Sequence, residues 1–295
     1  MAAAREVLPR RRLRPRPKRD KLAPVRLLPS EEARAHGTGM DREAFEAEAD
    51  RLLRAARAEG VTLRLLGALA FKRRCPQYAR LQEALKRMYT DIDFAAYGNQ
   101  ARQLRALLAR EGYVEDEMTY VESEGSRMVL NHPATTLHLD VFLDKLEFCH
   151  TLRWNGRLEQ EEDTIPLAEM LMQKMQIVQI NEKDVIDTIM LLLEHPLGDR
   201  DGDTINVGLV AGVCAGDWGW WRTLTMNLAK VKQIAAAYPQ LSDQEKLRVT
   251  EQVDAALARI EAKPKSLGWK IRARVGDRKK WYRDVGELAP QMQGL

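Results

Sequence analysis

The stretch that decides the fold is Tyr89-Thr90-Asp91-Ile92-Asp93-Phe94-Ala95-Ala96-Tyr97, which predicts a β-strand. Alternate residues of a strand point to the same side, so the carboxylates of Asp91 and Asp93 project together. Two adjacent carboxylates repel each other and serve no purpose in packing. A bound divalent cation is the usual reason for such a pair. The alternative interpretation is a strand with one solvated face.

A third carboxylate falls on a separate predicted strand. Asp140 lies within the apolar run of residues 136–143, where it shares a face with His138. An isolated buried carboxylate costs free energy unless it is paired or binds a metal. Three carboxylates on two strands therefore indicate a two-metal site for phosphoryl transfer.

A strand–glycine–helix turn precedes these carboxylates. Residues 61–66 predict a buried strand, and Gly67 and Ala68 follow it directly. A glycine at such a turn lets backbone amides approach a phosphate at the start of a helix. Many turns of this kind contain glycine, so the motif gains meaning only from the acids that follow.

A lysine and two acids mark the helical region predicted from Pro166 to Leu193. Lys174 falls within the apolar face of this region, and Asp184 and Asp187 follow a break in the pattern. The alternative interpretation is local salt bridging on a helix surface, such as Lys183 with Asp187 at i,i+4 spacing.

Composition indicates a protein without a membrane span, placed in the cytoplasm. The chain has 295 residues, of which 45% are hydrophobic and 31% charged, and it has no run of 18 apolar residues. Three cysteines, widely spaced and odd in number, predict reduced thiols and exclude a disulfide framework.

Charge divides the chain into an acidic body with two basic ends. Residues 1–39 carry 11 Lys/Arg against 4 Asp/Glu, and residues 263–283 carry 9 against 1. The intervening body has a balance of −9. Basic ends suit a polyanion such as RNA, and the alternative is solvated tails.

Three regions follow from these patterns. Residues 1–39 predict a disordered basic segment, either a nucleic-acid-contacting arm or translated sequence upstream of Met40. Residues 40–195 predict an α+β domain with a mixed sheet flanked by helices. Its first helix is predicted to start at an Asp41 N-cap and to have one apolar face, and a later helix is predicted from Tyr78 to Met88. The residues of the apolar face are Phe45, Ala49, Leu52, Leu53 and Ala56. Residues 196–295 predict a helical region in which tryptophans fill a core or an interface, with a capping box at 242–245 before one helix. Alternation over 269–283 predicts that this region ends in a basic β-hairpin, either facing RNA or solvated.

Taken in order, these motifs resemble the nucleotidyltransferases of the DNA polymerase β superfamily. The resemblance rests on Gly67-Ala68, on Asp91-Ile92-Asp93, and on Asp140 in a later strand. Lys174 and the following helix with Asp184 and Asp187 look like the corresponding elements of abortive-infection type nucleotidyltransferase toxins. The block 65–195 is also similar to a group of uncharacterised bacterial nucleotidyltransferase-like proteins.

The resemblance implies the nucleotidyltransferase fold and a role for each motif. Asp91, Asp93 and Asp140 would be catalytic and would hold Mg²⁺ (or Mn²⁺) against the phosphates of an NTP. Asp140 would also help to activate the acceptor hydroxyl. The remaining candidates are assigned to the nucleotide and its phosphates: Gly67, Ala68, Arg127, Lys174, Asp184 and Asp187. Within this set, Asp184 or Asp187 would orient Lys174 or contact the base.

The implied reaction moves a nucleoside monophosphate from an NTP to a hydroxyl of RNA, such as tRNA, or of a protein. A toxin with a cognate antitoxin is the implied biological setting. Two departures, Ala68 in place of Gly or Ser and the long gap from Gly67 to Asp91, imply either altered substrate handling or a lost activity, and Ala68 motivates an alternative. That alternative is an inactive module of the same fold that binds nucleotide, RNA or a protein partner. A third interpretation is an antitoxin-like or structural partner that uses its tryptophan-bearing helices as an interface.

Overall fold

The computed structural model describes residues 41–85, 89–135 and 137–284. This part of the chain is a mixed α+β structure, as predicted, with one five-stranded mixed sheet and two small two-stranded sheets. The segment 1–39, predicted to be disordered, lies outside the described residues, as does the predicted end of a helix at 86–88. No helix among the described residues has the length and apolar character needed to cross a membrane.

The main sheet positions the predicted carboxylates. Its strands are β1 (Leu63–Leu65), β2 (Asp91–Ala96), β3 (Val114–Glu115), β4 (Arg127–Asn131) and β5 (His138–Leu143). Their spatial order is β1-β2-β5-β4-β3, with β2 and β5 parallel and the other pairs antiparallel. The parallel register places Asp93 opposite Asp140 and Asp91 opposite His138.

Four short strands follow the main sheet. They form two ladders: β6 (Lys145–Glu147) with β7 (Thr151–Arg153), and β8 (Leu197–Gly198) with β9 (Ile205–Asn206). The helices are α1 (Arg42–Ala58), α2 (Gly67–Arg74), α3 (Arg80–Ala84), α4 (Ala101–Arg110), α5 (Glu117–Glu122), α6 (Leu167–Met175), α7 (Glu182–Glu194), α8 (Val207–Gly216), α9 (Trp218–Ala237), α10 (Asp243–Ala262) and α11 (Leu267–Val275).

Helix α1 forms as its sequence predicts. Asp41 is the N-cap, and its Oδ1 accepts a hydrogen bond from the amide of Ala44 at 2.8 Å. The predicted apolar face is buried in full: Phe45, Ala49, Leu52, Leu53 and Ala56. The predicted capping box before α10 is also present, between Ser242 and Glu245.

Helices α6 and α7 connect the sheet to the C-terminal helices. The predicted helical region is broken at Asn181, which caps α7 by accepting from the amide of Asp184. Nearly every residue of both helices is buried, because they pack against each other, against α2 and beneath α9. One continuous hydrophobic core therefore runs from Phe45 to Ile260.

The predicted basic β-hairpin at 269–283 is wrong. Residues 267–275 form helix α11, capped by Ser266, whose Oγ accepts from the amide of Trp269 at 3.1 Å. The segment also suits a short helix, because Trp269 and Arg272 are three positions apart and then share a face. That spacing brings Trp269 within 5.1 Å of the Trp221 ring and Arg272 within 4.5 Å of the Trp218 ring, measured to centroids.

Candidate active site

The three predicted carboxylates lie on two adjacent parallel strands. Asp91 is exposed at the start of β2, whereas Asp93 and Asp140 are half-buried and face each other in register. Burial raises the pKa of Asp93 well above its ordinary value, and repulsion from Asp91 and Asp140 raises it further. Burial also raises the pKa of Asp140, against the opposing effect of Arg127. The sheet thus concentrates negative charge at one place.

The glycine turn is built against the middle carboxylate. Gly67 has a φ of +67°, and its backbone passes so close to Asp93 that an added Cβ would lie 2.9 Å from Cγ and nearer still to Oδ2. The amide of Leu66 donates to the carbonyl oxygen of Asp93 at 3.0 Å, which anchors the turn to β2. The turn therefore requires glycine for both its backbone angle and its space.

Ala68 is half-buried against the core, and its carbonyl accepts from Gln82 Nε2 at 3.3 Å. Its methyl group fills packing space beside the turn. The backbone amides of the first helical turn have no partner within α2, as at any helix start. In the described part of the chain, the Gly67 amide does have one partner outside the helix: Gln173 Oε1 at 3.4 Å.

Lys174 lies in a buried network with two acids of α7. Its Nζ is 2.8 Å from Asp184 Oδ1 and 3.0 Å from Asp187 Oδ2, and it lies 5.5 Å from the centroid of the Phe71 ring. Asp187 is fully buried and pairs with Lys174 across two helices, in place of the surface pairing with Lys183 considered from the sequence. Lys174 also acts on Asp93, since its charge favours the ionised form of that carboxylate.

Two glutamines of this site were not predicted from the sequence. Gln82, buried on α3, donates to Asp187 Oδ1 at 2.8 Å and accepts from the hydroxyl of Tyr89 at 3.1 Å. Gln173 contacts Gly67, and its buried Nε2 has no hydrogen-bond partner among the described residues. The one available signal was a glutamine beside Lys174 in an otherwise apolar helix.

The Arg127 guanidinium forms a bidentate pair with the Asp140 carboxylate. Arg127 Nε donates to Asp140 Oδ1 at 2.8 Å, and Nη2 donates to Oδ2. Arg127, which the sequence predicts to contact phosphate, is therefore already paired with a carboxylate. Within residues 41–85, 89–135 and 137–284, no three His, Cys, Asp or Glu side chains are grouped closely enough to hold a metal ion.

The donor set nevertheless fits a hard divalent cation. Carboxylate oxygens are the ligands that Mg²⁺ and Mn²⁺ prefer. The raised pKa of Asp93 has repulsion from Asp91 and Asp140 among its causes, and a bound cation relieves such repulsion. The residues that would hold the metal are Asp91, Asp93 and Asp140, the last after release from Arg127.

Contacts and charge connect every residue predicted for the site. Gly67 touches Asp93, Asp93 faces Asp140, and Lys174 acts on Asp93. Asp140 holds Arg127, and Lys174 holds Asp184 and Asp187. Ala68 joins the same network through Gln82. No protein-family model matches the chain, and no curated protein matches it.

Proposed function

We propose that the protein is a metal-dependent nucleotidyltransferase, which moves a nucleoside monophosphate from an NTP to a hydroxyl of RNA or of a protein. The observation that carries the proposal is the Gly67 turn packed against Asp93, with Asp140 in register on the adjacent parallel strand. Phosphoryl transfer needs this combination, because phosphate-binding amides and metal-binding carboxylates must act on the same phosphates.

Each residue has a role that follows from its place. Asp91, Asp93 and Asp140 would hold Mg²⁺ or Mn²⁺, which would neutralise charge on the transferred phosphate. The amides of Gly67 and Ala68 donate to the triphosphate at the start of α2. Lys174 adds positive charge beside Asp93. Asp187 orients Lys174, because full burial prevents this acid from reaching a base.

Two contacts would change when substrates bind. Gln173 Oε1 would leave the Gly67 amide, which then donates to a phosphate oxygen. Arg127 would leave Asp140, so that its guanidinium pairs with phosphate and the carboxylate orients the acceptor hydroxyl. The Gly67 amide and the Arg127 guanidinium each exchange one oxygen acceptor for another, whereas Gln173 Oε1 and the Asp140 carboxylate must take new partners.

The test is transfer of label from α-labelled NTPs in Mg²⁺, with tRNA and the protein itself as acceptors. Wild type is expected to transfer label, whereas Asp91→Ala and Asp93→Asn are expected to lose it. The matched control is Asp254→Asn, on the exposed face of α10, where the carboxylate pairs with Lys232. Absence of transfer with all four NTPs, or transfer that survives Asp91→Ala, contradicts the proposal.

A second candidate function is an inactive module that binds nucleotide, RNA or a protein partner. Its supporting observations are Ala68 at the turn and the occupied states of Asp140 and the Gly67 amide. Saturable nucleotide binding without transfer in the same assay would favour it.

By resemblance we also propose a cytoplasmic toxin with a cognate antitoxin. The three buried free cysteines are compatible with a reducing compartment.

A further inference from the structure

A large aromatic cleft lies outside the candidate active site. Its volume is about 630 Å³, and it opens between the start of α9, helix α11 and residues 279–284. We call it the aromatic cleft and define it by six lining residues: Trp218, Trp220, Trp269, Arg272, Trp281 and Tyr282. Trp218 and Trp220 are buried in its floor, whereas Trp269, Trp281 and Tyr282 are half-exposed along its walls.

Specific contacts hold the wall of the cleft in place. Trp281 Nε1 donates to Thr223 Oγ1 at 3.0 Å, and the same hydroxyl lies 2.8 Å from His150 Nε2. The amide of Arg283 donates to the carbonyl of Cys149 at 3.1 Å. The guanidinium of Arg283 pairs with Glu147 at 3.0 Å. The aromatic rings therefore stand on a fixed support.

Arg272, Lys280 and Arg283 line the cleft together with one acid, Asp217, and further cations flank these residues in the sequence. Residues 263–283 contain nine Lys/Arg and one Asp. Arg272 stacks over Trp218, and the ammonium of Lys280 lies 5.3 Å from the centroid of the Tyr282 ring. In the part of the chain that the structure describes, the exposed side chains of Arg274, Arg278 and Lys279 form no ion pair. These three cations are available to a polyanion.

Aromatic rings with cations beside them are what a single nucleic-acid strand requires. Its bases stack on aromatic faces, and its phosphates pair with Lys and Arg along the groove. We propose that the aromatic cleft binds single-stranded nucleic acid. The rings of Trp281 and Tyr282 stack bases, and Arg274, Arg278 and Lys279 contact phosphates.

Two chains of contacts connect the cleft to the candidate active site. The amide of His150 donates at 3.3 Å to Gln176, the residue that ends α6, two positions after Lys174. On the other side, the ring of Phe148 lies 5.8 Å from Phe142, whose ring Arg127 covers. If the proposed nucleotide transfer holds, the strand in the cleft is the acceptor, and RNA is the acceptor class.

A protein partner is the rival occupant. Helix α11 exposes Leu267, Ile271 and Val275, a short aliphatic stripe that a protein could cover. The cleft differs from that stripe, because its lining is aromatic and cationic. A protein would have to supply many carboxylates to match these cations, whereas a nucleic acid supplies one negative charge per nucleotide.

The test is fluorescence anisotropy of the full-length chain with labelled oligouridine RNA, the same length of oligothymidine DNA and an RNA duplex. Magnesium and NTP are omitted, so binding is measured independently of transfer, and the control Asp254→Asn is expected to bind as wild type does. Both single strands are expected to bind and to quench tryptophan fluorescence, while the duplex binds more weakly. Preference between RNA and DNA then reports contacts to the 2′-hydroxyl.

Two sets of variants locate the binding. Tyr282→Ala is expected to weaken binding about tenfold through lost stacking, whereas Tyr282→Phe retains it. Glutamine at Arg274, Arg278 and Lys279 together should reduce the slope of log K against log salt by about 2. The matched control removes three charges from the basic N-terminal segment: Arg10, Arg11 and Arg12 to Gln.

Three results overturn the proposal. One is that neither single strand binds at low salt. Another is that Tyr282→Ala binds as tightly as wild type. The third is that only the N-terminal control loses affinity, because binding then belongs to that segment. If binding holds and label transfer fails, the cleft stands and the proposed nucleotidyltransferase activity falls.

Discussion

Replacing Gly67 with alanine tests the close packing of the turn on Asp93. A second glycine with a similar backbone angle, Gly60, serves as the control. Gly67 has φ +67°, and Gly60 has nearly the same angle, φ +70°. An added Cβ at Gly60 meets nothing within 4 Å, whereas at Gly67 it meets the Asp93 carboxylate. Gly60→Ala is therefore a control matched in backbone angle and free of contact.

The expected losses of stability differ between the two variants. The left-handed conformation lowers the free energy of unfolding of both alanine variants by about 1–2 kcal/mol. Gly67→Ala loses a further roughly 1–3 kcal/mol, because Asp93 or the turn must move to make room. The measurement is the free energy of unfolding in urea, with circular dichroism as the readout.

Activity is expected to separate the variants further. A displacement of Asp93 by about 1 Å is expected to lower the proposed transfer rate about 10²-fold, whereas Gly60→Ala retains the wild-type rate. If Gly67→Ala equals Gly60→Ala in both stability and rate, the close packing of the turn on Asp93 is refuted. If it loses stability alone, the turn is structural and the proposed site is not at Asp93.

Three further predictions concern buried charge. In EDTA at neutral pH, Asp93→Asn is expected to be more stable than wild type, because the raised pKa of Asp93 means that its ionised form destabilises the fold. This gain should vanish in urea titrations as pH falls through the folded pKa toward about 4, and equal stabilities at pH 8 would contradict it. Lys174→Met leaves Asp187 buried without its cation, so urea titration should show a loss of about 3–5 kcal/mol, and adding Asp187→Asn should recover part of it. A variant with unchanged stability would show that Lys174 is not needed to compensate Asp187. Burial lowers the pKa of His150 to about 4. The contribution of neutral His150 to the free energy of unfolding is therefore present above about pH 6.5, and ~3 kcal/mol is lost as pH falls toward 4. His150→Gln should flatten this part of the stability–pH curve.

Local patterns in the sequence were sufficient for the elements that carry the site. Asp41 caps α1 and the apolar period of that helix is buried as predicted, because both effects act within one turn. The strand with Asp91 and Asp93, and the strand with Asp140, follow from alternation alone. Their parallel pairing and the register of Asp93 with Asp140 do not, because register depends on which strands become neighbours.

Partners distant in sequence were decided by tertiary structure. The i,i+4 spacing predicts a salt bridge between Lys183 and Asp187. In the folded chain Asp187 is buried and pairs with Lys174 of another helix. Arg127 reaches Asp140, and Gln173 reaches Gly67, because the sheet and α6 bring them together. A buried charge takes whichever partner the packing supplies, and that information is not local.

Helix α11 shows the same division. Residues 269–275 alternate in a way that fits a strand, and the sequence alone predicts a hairpin. The helix instead places Trp269 and Arg272 on one face, where Trp269 meets Trp221 edge to face and Arg272 lies over Trp218, both of α9. The sequence thus determined the basic and aromatic composition of this end. Only packing against α9 decided its conformation, since a short ambiguous segment adopts the form that brings its large ring into contact with neighbouring rings.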